Sequence, residues 1–121
     1  MRPGVISLPG RASLRQVQRT LASHNIHAVL VLDTESGTPL GWVTARGLLD
    51  HASRDLDLVR AASVVSEPAI TISPSASVGT AIDALLRSDG TRLLVCASGH
   101  AAPEGVVTDL DLVRLLAGPL T

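Results

Sequence analysis

The sequence predicts an α/β fold in which one β-α-β-β-α unit is used twice. Three observations carry that prediction. The chain of 121 residues overlays on itself at a shift of 64 positions, so that residues 1–57 fall on 65–121 without a gap. Ile6 meets Ile70, Ala12-Ser13 meets Ala76-Ser77, Leu21 meets Leu85, Leu30-Val31 meets Leu94-Val95, and Pro39 meets Pro103. In each copy, short apolar runs alternate with segments whose apolar residues recur at helical spacing. A repeat of this length is one supersecondary unit, too small to bury a good core alone, so the two copies are expected to pack together. The repeats are read as 1–57 and 65–121, joined by a connector at 58–64.

Each unit opens with a short apolar strand, Val5–Leu8 or Ala69–Ile72, followed by a turn at Pro9-Gly10 or Ser73-Pro74. Ser13 and Ser77 stand where helix N-caps should stand. After them Leu14, Val17 and Leu21, or Val78, Ala81, Ile82, Leu85 and Leu86, mark one helical face. Asn25 and Gly90 suit left-handed C-caps. The continuous apolar runs Ala28–Leu32 and Leu93–Ala97 read as buried strands. Turn residues follow, Asp33–Gly37 and Ser98–His100. A further strand, Gly41–Thr44 or Gly105–Thr108, then runs straight into a helix, Ala45–Ala52 or Asp109–Ala117. Between the copies, 53–63 is polar apart from Leu56, Leu58 and Val59, and reads as a short helix or an extended linker.

Composition excludes several classes of function. The formal net charge is −1, all ten basic residues are arginine, and no basic stripe of the kind nucleic acid requires is evident. There is no Phe or Tyr and a single Trp, so no aromatic platform exists for stacking bases, and the core must be aliphatic. The longest apolar runs are far too short to span a bilayer, and no secretory signal pattern opens the chain. One cysteine excludes an internal disulfide framework and fits a reducing cytoplasm. Cys96 ends an apolar run and reads as a core thiol rather than a nucleophile. His24, His27, His51 and His100 show no zinc-ligand spacing, and no acid–base pair or nucleophile arrangement stands out, so the chain does not read as an enzyme.

The segment that carries chemistry is the turn from last strand to last helix. In the second copy it reads Gly105-Val106-Val107-Thr108-Asp109-Leu110-Asp111. A strand feeding a helix N-terminus offers unpaired N–H groups and a positive dipole end, and hence an anion site. Thr108 can cap the helix or bond a ligand oxygen, and the Asp111 carboxylate can accept two hydrogen bonds from a vicinal diol such as a ribose. Thr108 followed by Asp111 is equally close to a simple capping box. In the first copy the segment is Gly41-Trp42-Val43-Thr44-Ala45-Arg46-Gly47, with Gly47 opposite Asp111 and Trp42 opposite Val106.

Two Gly-h-Val-Thr segments, each preceded by strand-turn-strand and followed by an apolar helix, resemble the CBS domain, which occurs in tandem as a Bateman module. The resemblance covers nearly the whole chain. It implies two units packed pseudo-symmetrically through their sheets, with two clefts that take adenosine-containing ligands: AMP, ADP, ATP, S-adenosylmethionine or an NAD-like dinucleotide. The family's motif matches fully at Gly105, Thr108 and Asp111, the acid serving the ribose diol. It matches only partly at Gly41 and Thr44, where Gly47 replaces the acid. The resemblance also implies that adenine lies beside Ile70, Thr71 and Val106, with Ser66 as a further contact. It implies phosphates met by basic residues of the opposite copy: His27 and Arg46 for the Asp111 cleft, and Arg92 for the Thr44 cleft. Trp42 is expected to fill the first cleft. The expectation is therefore one competent site at Asp111 and one degenerate site at Thr44.

As a function, the resemblance implies a regulatory nucleotide sensor, built as a homodimer, without membrane insertion or nucleic-acid binding and with no catalytic cofactor. The alternative is a ligand-free dimerisation or docking module for a larger enzyme, transporter or regulator. Met1 falls opposite Val65, so the chain begins late in the pattern. That fits either a minimal stand-alone pair or a module excised from a longer chain.

Overall fold

A computed structural model of the chain describes residues 2–3, 5–88, 91–97 and 103–117. In chain order the elements are β1 (Arg2–Pro3), β2 (Ser7–Pro9), α1 (Leu14–His24), β3 (Ala28–Leu32), β4 (Pro39–Thr44), α2 (Ala45–Leu49), a 3-10 helix (Ala61–Val64), β5 (Thr71–Ile72), α3 (Val78–Ser88), β6 (Arg92–Cys96), β7 (Pro103–Thr108) and α4 (Asp109–Ala117). The chain divides into two compact units: Ile6–Ala69, and Ile70–Thr121 together with Met1–Val5.

In the first unit, β2 runs parallel to β3, and β3 runs antiparallel to β4. The Ser13 hydroxyl accepts the Gln16 N–H at 3.2 Å and so caps α1. Asn25 closes the helix in the left-handed conformation at φ 52°, and the Ile26 N–H reaches back to the Leu21 carbonyl at 3.1 Å. This is the Schellman pattern that an Asn at this point suggests. The face of α1 formed by Leu14, Val17 and Leu21 packs on Val29, Val31 and Val43 of the sheet. Alternation along β3 sends Leu30 to the opposite face, where it too is fully buried.

The connector is part of this core. Val59, Ala61 and Val64 join the same cluster. Its backbone also serves α1, whose Leu14 and Arg15 N–H groups bond the Val59 and Leu56 carbonyls at 2.8 and 3.0 Å. The stretch read as a short helix or an extended linker runs into a short 3-10 helix, Ala61–Val64, and is held by the N–H groups that a helix start leaves over. Helix α2 stops at Leu49, short of the expected Ala52. Its last turns tighten, with His51 and Ala52 bonding to Leu48 and Leu49 three residues back.

In the second unit, the sheet order is β1-β7-β6-β5, with β5 parallel to β6 and the other pairs antiparallel. The Ser77 hydroxyl caps α3 by accepting the Thr80 N–H at 3.1 Å. Ala81, Leu85, Leu93 and Leu112 form the core, with Ile70, Ile72, Ile82, Ala84 and Val107 packed against it. Gly90 and the expected turn at 98–100 lie outside the described residues.

Short lead-in segments extend both hairpins. Arg2 and Pro3 pair with Val106 and Gly105 along β7. On β4, the Trp42 N–H bonds the Glu67 carbonyl and the Ser66 N–H bonds the Trp42 carbonyl, both at 2.8 Å. That approach requires Gly41, which adopts φ +151°. A Cβ there would strike Val65 and lie 2.5 Å from the Glu67 carbonyl oxygen. The compact units therefore differ from the sequence period, because each takes its last strand-like piece from the start of the other repeat.

Candidate functional site at the β7–α4 junction

Thr108 ends β7 and caps α4. Its hydroxyl accepts the Asp111 N–H at 3.2 Å, and its own N–H donates to Asp111 Oδ2 at 2.9 Å. This is a complete capping box, with aspartate in the return position. The remaining N–H groups of the first turn also have partners. Asp109 N–H bonds the Thr91 carbonyl at 2.9 Å, and Leu110 N–H bonds Asp109 Oδ1 at 2.8 Å. The sequence suggested an anion site built on unpaired N–H groups. The structure replaces it with a helix start whose donors are used and whose first turn already holds two carboxylates, Asp109 and Asp111.

What the junction presents is a fixed, ionised acceptor. The Thr108 N–H holds the Asp111 carboxyl below its ordinary value. Partial burial works the other way, and the Thr108 hydroxyl and Arg114 one turn along reinforce the lowering. A carboxylate has about four acceptor positions, so the bond from the Thr108 N–H does not by itself saturate it. Such a group suits a ligand that offers two adjacent hydroxyls.

Register places its neighbours. Thr71 stands opposite Leu94, Leu94 opposite Val106, and Arg92 opposite Thr108. Directly paired residues share a face of the sheet, and residues two apart on one strand do so as well. Thr71, Val106, Thr108 and Arg92 therefore lie on one side, with Thr71 exposed and the other three half-buried. Ile70 is turned the other way, onto the core, and its carbonyl accepts the Leu94 N–H at 2.8 Å. Arg92, expected to serve the Thr44 cleft, is the cross-strand partner of Thr108. The antiparallel register of the hairpin was the signal for that placement.

The corresponding junction of the first unit is built differently. The Thr44 hydroxyl accepts the Gly47 N–H at 2.9 Å, and Ala45 N–H bonds the His27 carbonyl at 2.7 Å. No side chain at position 47 can return a bond to the Thr44 N–H. The Ser66 hydroxyl accepts it instead, at 3.3 Å, and lies 3.4 Å from both Thr44 Oγ1 and the Trp42 carbonyl. Ser66, expected beside Ile70 and Thr71, thus sits against Thr44. Trp42 is 2% exposed and pairs with Leu30. His27 and Arg46 are exposed and belong to this unit.

A family model of the CBS domain matches residues 1–54 and 61–118. The chain belongs to the CBS-domain family. Its two matched segments make it a tandem CBS pair. No curated protein sequence matches it. Among solved structures, the pair resembles the CBS domain of a bacterial CNNM/CorC family Mg2+ transporter in complex with ATP. That match has TM-score 0.83 and 21% identity, and covers 98% of this chain and 84% of that one. It also resembles the CBS domain of a CBS-domain-containing membrane protein from Sphaerobacter thermophilus, at TM-score 0.72 and 26% identity, over 95% and 83% of the two chains. A third is a CBS-domain-containing protein from Agrobacterium tumefaciens, at TM-score 0.73 and 18% identity, over 93% and 84%.

Elsewhere in the CBS pair, Cys96 is buried, and its thiol is pushed up first by burial and then by the Glu104 carboxylate. Among the described residues, no three His, Cys, Asp or Glu side chains gather where they could hold a metal ion, and no helix is long and apolar enough to cross a membrane. An open cavity of about 420 Å³ in the first unit is lined by Arg54, Asp55, Leu58, Val59, Arg60 and Ser63, none of them a residue of either motif.

Proposed function

We propose that this CBS pair is a regulatory module that binds an adenosine-containing nucleotide through its ribose at Thr108 and Asp111. The observation that carries this reading is the ionised Asp111 carboxylate, fixed by the Thr108 N–H, where the other repeat has Gly47. The related CNNM/CorC CBS domain in complex with ATP supports a nucleotide as the ligand class. AMP, ADP, ATP, S-adenosylmethionine and NAD-like dinucleotides all present the diol this site would read. Adenine then lies along Thr71 and Val106, reached by Ile70 through its backbone. The phosphates need donors from outside the first turn of α4, because its N–H groups already have partners. Regulation follows if the nucleotide binds two arrangements of the module with different affinity.

A thermal-shift screen of these nucleotides is the first test, since a ligand that binds only the folded chain raises its melting temperature. Calorimetry with ATP against 2′-deoxy-ATP is the second. Loss of one hydroxyl bonded to a carboxylate costs about 1.5–3 kcal/mol, roughly tenfold to a hundredfold in affinity. Equal affinity for the two, or two equivalent sites per chain, would falsify the reading.

A second reading is favoured by one observation. Leu110, Val113, Leu115 and Leu116 of α4 are each more than half exposed. An apolar surface of that kind suits a homodimer contact or docking on a larger protein. Sedimentation of the chain decides it: a monomer at all concentrations, together with nucleotide binding, removes the dimer.

A further inference from the structure

We propose that Ser66 is the residue that closes the first repeat's motif, by occupying the space and the hydrogen bond that an acid at position 47 would need. This rests on the reading of Asp111 as the ribose acceptor and extends it to why the Thr44 junction differs. At the Asp111 junction, the Thr108 N–H is bonded by the side chain three residues along its own helix. At Thr44 the same N–H is bonded by Ser66 Oγ, nineteen residues beyond Gly47. The replacement is spatial as well as chemical. A Cβ built at Gly47 would collide with Ser66 Oγ, and would lie 3.1 Å from both Ser66 Cβ and Thr44 Oγ1. Any side chain at 47 therefore begins where the serine hydroxyl stands.

The hydroxyl is held there by a consistent set of bonds. Thr44 Oγ1 accepts from the Gly47 N–H, which leaves its proton free to donate to Ser66 Oγ. Ser66 Oγ also accepts the Thr44 N–H and donates to the Trp42 carbonyl. The backbone fixes the serine in turn, since its own N–H bonds the same Trp42 carbonyl at 2.8 Å. At 3.3 and 3.4 Å the side-chain bonds are long, so exclusion of a Cβ is the stronger of the two effects. Restoring the acid at 47 alone cannot restore a ribose acceptor. Removing Ser66 together with it can.

The test uses ATP as probe on four chains: the parent, Gly47→Asp, Ser66→Gly, and the double variant. Glycine is chosen at 66 because alanine would keep the crowding Cβ. Calorimetry is expected to give one equivalent of ATP for the parent and each single variant, and two for the double variant. A second equivalent in Gly47→Asp alone overturns the proposal, as does a double variant that stays at one. A ligand-free arm reads the same competition in melting temperature, with Gly47→Ala made both in the parent and in the Ser66→Gly background. Gly47→Ala is expected to lower the melting temperature clearly in the parent and to have at most a small effect once the serine is gone. Shifts that simply add across the two backgrounds overturn the proposal. If the parent binds no ATP, the nucleotide reading fails on its own, and the melting arm still decides the role of Ser66.

Discussion

Replacing Asp111 with alanine removes two interactions at once, and they can be measured separately. The first belongs to folding. The carboxylate returns a 2.9 Å bond to the Thr108 N–H, and losing a helix-capping bond of this kind costs about 1 kcal/mol. For a chain of this size that is about 4 °C in melting temperature. The second belongs to binding. A carboxylate accepting from a ribose diol contributes about 1.5–3 kcal/mol, so nucleotide affinity should fall roughly tenfold to a hundredfold. Asp111→Asn separates the two, because the amide oxygen can still accept from Thr108 while the charge is gone. Its melting temperature should lie nearer the parent's, and its affinity nearer the alanine variant's.

The pH dependence supplies an independent sign. The folded carboxyl of Asp111 lies below its ordinary value, mainly because of the Thr108 N–H. Its contribution to stability is therefore fully present above the unfolded value of about 3.9 and is lost as pH falls through the lower folded value. The melting difference between parent and Asp111→Asn should hold from about pH 7 to 5 and shrink towards about pH 3. Differential scanning calorimetry across that range, with titration calorimetry near neutral pH, checks each part. An alanine variant that melts with the parent and binds nucleotide as tightly refutes the assignment of Asp111.

Three further outcomes follow from the geometry. Gly41→Ala puts a Cβ against Val65 and the Glu67 carbonyl at a φ that only glycine takes readily, so the variant should lose several degrees of melting temperature or fail to accumulate as folded protein. Asn25→Gly should be close to neutral and Asn25→Ala should cost about 1 kcal/mol in urea unfolding, because the cap residue sits at φ 52°. Cys96, buried and with its thiol pushed up by burial and by Glu104, should react slowly with an alkylating reagent at about pH 8 in the native chain and quickly in urea; fast native labelling would contradict its burial.

Much of the fold could be read because its signals are local. Ala28–Leu32 is a strand and Asp109–Ala117 a helix over the expected spans, since a continuous apolar run and a helical period are each contained in their own residues. Ser13, Ser77 and Asn25 cap as their chemistry suggests. What could not be read is non-local. Arg2–Pro3 and Ser66–Glu67 are too short to show any period, and their pairing with β7 and β4 depends on the chain returning to those edges. The connector looked polar because only one side of it faces the core: Val59 is buried and Leu58 beside it is exposed. At the site, the Thr108–Asp111 spacing was visible, but the use of every first-turn N–H was not, because one of those donors is satisfied by Thr91 from across the hairpin.

The overlay of the two repeats compares like with like: position 47 with 111, and 66 with 2. It therefore registers a missing acid at 47 and an unrelated serine at 66. In the folded chain these are one event. The N–H of Thr44 has the same need as that of Thr108, because a capping threonine at the end of a strand leaves its own N–H to be satisfied by a side chain. In the second repeat the helix supplies that group from within. In the first, glycine at 47 gives up the space, and a segment that sequence assigns to the second repeat supplies a hydroxyl to fill it. A hydroxyl that accepts one backbone bond and donates another is satisfied where it stands, whereas a carboxylate has acceptor positions left over. The change from Asp to Gly-plus-Ser thus preserves the cap and withdraws the acceptor capacity, which is the property a diol would use. Inequivalence between the repeats is accordingly built into the packing around Thr44, and a single substitution at 47 does not reverse it.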